Sequence, residues 1–203
     1  MNLLIIIHNQ VSTGPYFKIR QMAQALARQG IQVTLLCTSP TNKFRFTERL
    51  DEQVQVVESP DLLFGTLRQG LDLWNTILRI IYLRHKKFDL IHAIDCRPVV
   101  ILPALCMKKV KKIPLVLSWW DWFGRGGTAE ERSGKFYAKT LGLVETFFEE
   151  YFRKYADRAT VITTALQQRL ISLNYPPEKI EIHRVGCDVR EWERGRLSEC
   201  GVR

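Results

Sequence analysis

The chain has 203 residues and 46% hydrophobic content, enough to bury one sizeable core near the upper end of the usual single-domain range. Its formal net charge of +9 favours anionic partners, but no RNP-like aromatic pair, zinc-finger spacing or helix-turn-helix signature accompanies it, which argues against nucleic acid. The cysteines (Cys37, Cys96, Cys106, Cys187, Cys200) are odd in number and form no CxxC pair, and the four histidines show no HExxH spacing. A disulfide framework and a metal site are therefore not expected, and a reducing compartment fits.

Asn2 to Ile7 reads as a buried strand, and the loop His8 to Gly14 follows it. Pro15 suits the first turn of a helix, where its missing N–H costs nothing. Ile19, Met22, Ala23 and Leu26 then form one apolar stripe, and Gly30 fits the position that ends the helix. With Ile31 to Cys37 as the next strand, the opening is a βαβ unit, which requires a parallel sheet. Residues 38–53 are polar and basic and read as a loop, and Val54 to Val57 as a short strand.

Leu67, Leu71, Trp74, Leu78 and Ile81 predict a helix over 66–86 whose apolar stripe packs on the sheet, with Arg68, Arg79 and Arg84 on the other face. A minority reading of that basic amphipathic surface is membrane contact. Asp89 to Ile94 is a strand and Val99 to Lys109 the helix after Pro98. The run Lys108-Lys109-Val110-Lys111-Lys112 reads as a solvated helix end. Ile113 to Ser118 is the next strand. A long helix over 136–156 carries the aromatic stripe Val144, Phe147, Phe148, Tyr151, Phe152 and Tyr155, read as core. Glu149–Arg153 and Glu150–Lys154 fall on its opposite side. Ala159 to Thr163 is a strand, Thr164 caps the helix 165–173, and Ile180 to Arg184 is the last strand. The longest apolar run, Val99 to Met107, is far short of the ~20 residues that span a bilayer. The N-terminal run Leu3 to Ile7 is too short for a signal peptide. The expected location is the cytoplasm, with room for peripheral contact at the inner face of a membrane.

Strands alternating with helices predict an α/β fold: one Rossmann-like, doubly wound, mostly parallel sheet of about seven strands. Ligands in such sheets bind beyond the carboxyl ends of the strands, which here are the loops 8–14, 95–98, 119–127, 163–165 and 186–188. One of them holds Trp119-Trp120-Asp121-Trp122, three of the five tryptophans around one carboxylate. If strand alternation continues past Ser118, these rings cannot all face the core, so at least one faces a cleft or a partner surface. Asp95 and Asp121 follow strands and can accept hydrogen bonds from hydroxyl groups; either could equally cap a helix or satisfy a loop. Gly14 opens a helix whose free N–H groups can receive a phosphate, or is a turn glycine. The first loop lacks G-x-G-x-x-G, and Gly134-Lys135 does not complete a Walker A motif. Gly124-Arg125-Gly126-Gly127 reads as an anion nest or a mobile loop.

Several segments resemble, in order, the amino-terminal half of group-1, family-four nucleotide-sugar glycosyltransferases with the GT-B fold. They are Gly14 with Gln24 to Leu36, Phe88-Asp89-Leu90-Ile91-His92-Ala93, Ala156-Asp157-Arg158-Ala159-Thr160-Val161-Ile162-Thr163, and Pro176-Pro177-Glu178-Lys179-Ile180 followed by Val185-Gly186-Cys187-Asp188. The resemblance covers about residues 1–192 and implies retaining transfer of a sugar from a nucleotide donor to a hydroxyl acceptor, with this half holding the acceptor. It places Gly14 near the donor diphosphate. With the strand-end loops, it makes Gly14, Asp95, Trp119, Trp120, Asp121, Gly186 and Asp188 the candidate substrate-binding residues, with the catalytic residues unassigned. No cofactor is implied; the nucleotide sugar is a substrate that this half does not bind alone. The expected partners are a sugar or lipid-linked acceptor and a separate donor-binding half, since residues 193–203 read as a short tail and no donor domain lies within the 203 residues. The family often has histidine in a T-x-H-D pattern after the fifth strand, where this chain has Ser118, Trp119, Trp120 and Asp121. An indole only donates a hydrogen bond, so the alternative is a non-catalytic sugar or lipid-head binding module or a pseudo-enzyme subunit. A nicotinamide-binding domain fits poorly, because Cys37-Thr38-Ser39 offers no carboxylate for a ribose.

Overall fold

The computed structural model describes residues 1–11, 13–62, 70–127, 141–184 and 186. Leu67 and Arg68 at the start of the expected helix, residues 136–140, Gly134-Lys135, Asp188 and the tail lie outside the described residues.

The elements run β1 (Asn2–Gln10), α1 (Gly14–Arg28), β2 (Gln32–Thr38), β3 (Thr47–Asp51), β4 (Val54–Ser59), α2 (Leu73–Leu83), β5 (Leu90–Ile94), α3 (Pro98–Lys111), β6 (Leu115–Trp119), α4 (Leu141–Phe152), β7 (Arg158–Val161), α5 (Thr164–Ser172) and β8 (Ile180–Ile182). The sheet order is β3-β4-β2-β1-β5-β6-β7-β8, parallel except for β3 against β4. This is the expected Rossmann-like sheet with one additional strand. The segment expected to be a loop contains β3, whose Thr-Glu-Arg-Leu-Asp sequence carries no apolar alternation because the strand lies at an exposed edge. Arg20 of α1 donates to both carboxylate oxygens of its Asp51, at 2.5 and 2.8 Å, tying that edge to the helix.

The local signals act as physics requires. Pro15 sits in the first turn of α1, and Gly30, at φ +86°, ends it as its N–H bonds Ala27 O at 2.9 Å. Asp72 caps α2, accepting from Trp74 N at 2.8 Å and Asn75 N at 3.3 Å. Thr163, one residue before the expected cap, accepts from Leu166 N at 3.2 Å and starts α5.

Strand alternation sorts the core. Leu4, Ile6, Ile91, Ala93, Leu115 and Leu117 face α3, with Leu83 of α2 and Phe148 and Phe152 of α4 joining the same cluster. Leu3, Ile5, Ile7, Val33, Leu35 and Ile94 face α1 on the other side. Trp119, Ala159 and Val161 continue the first face and pack under Leu166 and Leu170 of α5. Among the described residues, α1 is thus the one helix on its face, while α2 to α5 cover the other.

Two helices are turned opposite to expectation. α2 buries Asn75, Thr76, Arg79 and Leu83 and exposes Trp74, Ile77 and Ile81. α4 buries Gly142, Glu145 and Glu149 and exposes Val144, Phe147 and Tyr151. For α2 the reason is Arg79, which is 0% exposed. Its Nε donates to Ser59 Oγ (2.9 Å) and Asn75 Oδ1 (2.8 Å). Nη1 donates to Ile7 O (2.8 Å) and Val99 O (2.9 Å), and Nη2 to Thr38 Oγ1 (2.9 Å). Burial lowers its pKa to about 10, which leaves it charged at neutral pH. No helix among the described residues is long and apolar enough to cross a membrane. Replacing Arg79 with leucine strands the buried acceptors and is expected to cost about 3–5 kcal/mol, read as a lower urea midpoint. Arg79→Lys is expected to recover only part of that loss, because an ammonium has fewer donors and no planar fork.

Candidate functional site

The strand order reverses between β1 and β5, so the crevice at the switch point lies beyond their carboxyl ends. His8, near the end of β1, and Asp95, just after β5, meet there with His8 Nδ1 3.8 Å from Asp95 Oδ2. Asp95 has φ +67°, a left-handed conformation that aspartate tolerates better than most residues. That turn folds its side chain back under the strand ends, where it is buried. Its N–H donates to Ser118 O at 3.0 Å. Burial, followed by the charge of Asp121, pushes the Asp95 carboxyl up to about 7, against Arg153 and Arg97, which lower it. A carboxyl balanced near neutrality in a crevice can exchange a proton or accept a hydroxyl hydrogen bond.

The floor beside it is built from the inward charges of α4. Arg97 ion-pairs with Glu145 and lays its guanidinium 4.4 Å from the Phe123 ring centroid. Arg153, just past α4, stacks 3.8 Å over Trp119. Glu149 accepts from Gly124 N (2.8 Å) and Phe123 N (3.0 Å), so the glycine-rich turn directs these amides at the protein's own carboxylate. Burial raises the Glu149 pKa, while Arg153 and those two amides oppose the rise. Gly70, at φ +83°, packs against the same corner. A Cβ there would come within 2.7 Å of Arg97 Cβ and 3.0 Å of His8 Cβ.

The structure brings some of the sequence-predicted residues together and separates others. Trp119 is fully buried in the core, where its side continues the Leu115–Leu117 face. Trp120 points to the opposite face and Asp121 is exposed beside Asp95. Gly14 starts α1, with open space around the position of a Cβ. Gly186 is exposed across the groove described next. His8, Arg97, Glu149 and Gly70 were not singled out for the site. Position just beyond β1 and β5 was the available signal for His8 and Arg97, but nothing in the sequence marked Gly70 or Glu149.

Beside the crevice, an open groove of about 500 Å³ lies over the face of β5, β6 and β7 that α1 leaves bare. Met22 and Leu26 line one wall, which is why they are only partly buried although they belong to the expected stripe. The floor is a hydrogen-bonded row: His92 Nε2 to Ser118 Oγ at 2.6 Å and Ser118 Oγ to Thr160 Oγ1 at 2.5 Å. Desolvation and nearby His183 lower the His92 pKa to about 4, keeping the ring neutral.

A sheet with this strand order and a crevice at its switch point define a Rossmann-like α/β domain. The Glycosyltransferase Family 4 model matches residues 19–191, and the chain belongs to that family. No curated protein matches it closely. Among solved structures it is similar to sucrose-phosphate synthase from Thermosynechococcus elongatus, with 13% identity and TM-score 0.65, over 98% of this chain and 52% of that one. HepE from Anabaena in complex with UDP-glucose gives 14% and 0.54 over 99% and 50%. UDP-GlcNAc 2-epimerase from Neisseria meningitidis bound to UDP-GlcNAc gives 13% and 0.54 over 90% and 45%. The chain thus spans about half the length of these proteins, with the expected GT-B half-fold.

The raised Asp95 pKa has a definite sign. The folded state holds a proton that the unfolded state releases between pH 4 and 7, so the group's contribution is present below pH 4 and lost as pH rises towards 7. Asp95→Asn keeps the left-handed turn and removes the ionisation. It is expected to raise the melting temperature relative to wild type at pH 8 and to leave it nearly unchanged at pH 4, read by thermal denaturation.

Proposed function

We propose that this chain is the acceptor-binding half of a retaining glycosyltransferase, which moves a sugar from a nucleotide-sugar donor to a hydroxyl of a sugar or lipid-linked acceptor. The observation that carries the reading is the buried Asp95 carboxyl beside His8 at the switch point, in a chain of this family. Asp95 would receive the acceptor hydroxyl hydrogen bond. As the acceptor oxygen bonds the anomeric carbon on the face that the nucleoside diphosphate leaves, the diphosphate departs with the bonding pair and the hydroxyl proton passes to the Asp95 carboxylate. Gly14 stands at the amino end of α1, where free amides suit a diphosphate. UDP-glucose in HepE and UDP-GlcNAc in the epimerase support a nucleotide sugar as donor.

The half is inactive until a donor-binding half completes it. Parallel sheets are ordinarily covered on both faces, and the face over β5 to β7, which no described helix covers, supports a companion domain resting there. Trp120, where the family pattern has histidine, favours a second reading: a non-catalytic subunit that binds the acceptor and activates a partner.

Transfer of labelled hexose from UDP-hexose to glycolipid acceptors tests both. The chain alone is expected to give none, and addition of the complementing half, sought in the continuing or adjoining reading frame, is expected to restore it. In the completed enzyme Asp95→Asn is expected to lower kcat by about a hundredfold or more, the scale of general base catalysis. Turnover by the isolated chain would overturn the half-enzyme reading. Acceptor binding without transfer in the completed pair, with transfer gained by Trp120→His, would establish the second reading.

A further inference from the structure

The inverted helices α2 and α4 leave two apolar stripes on one side of the molecule. Both helices belong to the layer that packs on the Leu4–Leu117 face of the sheet, on either side of α3. On α2 the outward residues are Leu73, Trp74, Ile77 and Ile81, with Ile77 52% exposed. On α4 they include Val144, Phe147 and Tyr151, with Phe147 also 52% exposed and stacked on Tyr151 at 5.2 Å. Such stripes are unusual on the surface of a soluble domain.

The charges of these helices are sorted by sign. Every carboxylate is turned inward or paired: Asp72 caps α2, Glu145 pairs with Arg97, Glu149 receives two amides and Glu150 pairs with Arg169 at 2.7 Å. Among the described residues the outward charges beside these helices are mainly cations, with Glu48 of β3, which accepts from Tyr82 Oη at 2.8 Å, an exposed carboxylate at the α2 edge. Arg84 continues the Ile77–Ile81 stripe, and Lys154 lies 3.9 Å over the Tyr151 ring. Exposed Lys109 and Lys112 end α3 between the two helices. The Trp74 indole N–H bonds Lys43 O at 3.2 Å, holding a further lysine at the patch edge.

We propose that this helix layer docks on an anionic lipid surface, with Trp74, Ile77, Phe147 and Tyr151 entering the headgroup boundary and the cations meeting lipid phosphates. Apolar side chains with a mainly cationic rim suit an interfacial helix lying in the membrane plane, and tryptophan and tyrosine suit that depth. The same rim disfavours a second copy of this face, because Arg84 and Lys154 would meet like charges. The contact needs no sugar donor and does not rest on the proposed transfer, so it stands or falls separately.

Flotation of the 203-residue chain with vesicles is the test. Binding to phosphatidylcholine vesicles containing phosphatidylglycerol is expected to exceed binding to phosphatidylcholine alone by about tenfold or more, and to fall steeply with added salt. The double variants W74S/I77S and F147S/Y151S are each expected to reduce partition about tenfold, the scale of lost apolar insertion. Their circular dichroism at the assay temperature is expected to stay at wild type, which keeps loss of binding distinct from loss of fold. Leu50→Ser, on the exposed edge strand β3, is the control and is expected to leave binding unchanged. Equal binding to neutral and anionic vesicles, unchanged binding of both double variants, or a homodimer that these variants dissociate would each overturn the proposal.

Discussion

One guanidinium holds the first half of this protein together. Arg79 reaches from α2 to the carbonyls of β1 and α3 and to the hydroxyls of β2 and β4, so five elements share one set of donors. Among the described residues neutral oxygens take up its hydrogen bonds at fixed positions, with the charge of Asp61 nearby. Such a site is demanding about geometry, since an apolar group in its place would leave those buried oxygens without a donor. It fixes how α2 rotates about its own axis, and that rotation decides which residues of the helix meet solvent. It also braces the end of β1 that carries His8 into the crevice.

The same logic operates at α4, where charges are again the buried side. Arg97 and Glu145, Glu149 with its two amides, and Arg153 on Trp119 form a polar wedge between the helix and the strand ends. Phe147 and Tyr151 are displaced to the surface as a result, while Phe148 and Phe152 still pack against the core. Polar interiors in two helices of one layer explain how a chain with ordinary hydrophobic content can leave so much apolar side chain exposed.

Most of the architecture was legible in the sequence because parallel strands read as apolar runs and helix ends carry proline, glycine and aspartate. Strand β3 was not, since an edge strand open to water needs no apolar alternation. The facing of α2 and α4 was misread for one reason. Periodicity locates a stripe but assumes that the apolar side turns inward, and here hydrogen-bonded charge takes the interior. At the site, Asp95 was legible because it follows a strand at the switch point. Trp119 and Trp120 were indistinguishable as letters; their opposite fates follow from strand parity. Gly70 and Glu149 act through contacts across the chain, at 27 residues from Arg97 and 25 from Gly124 in sequence, which no local pattern reports.

The left-handed turn at Asp95 has a consequence for the residue itself. At φ +67° the backbone admits glycine, asparagine and aspartate far more readily than other types. The steric demand of the turn therefore restricts the alphabet at this position before any chemistry is considered. Within that short alphabet only aspartate can ionise. A drift to glutamate, the usual conservative exchange for a carboxylate, costs backbone energy that aspartate largely avoids, although Glu52 at φ +45° shows that glutamate can adopt such a turn.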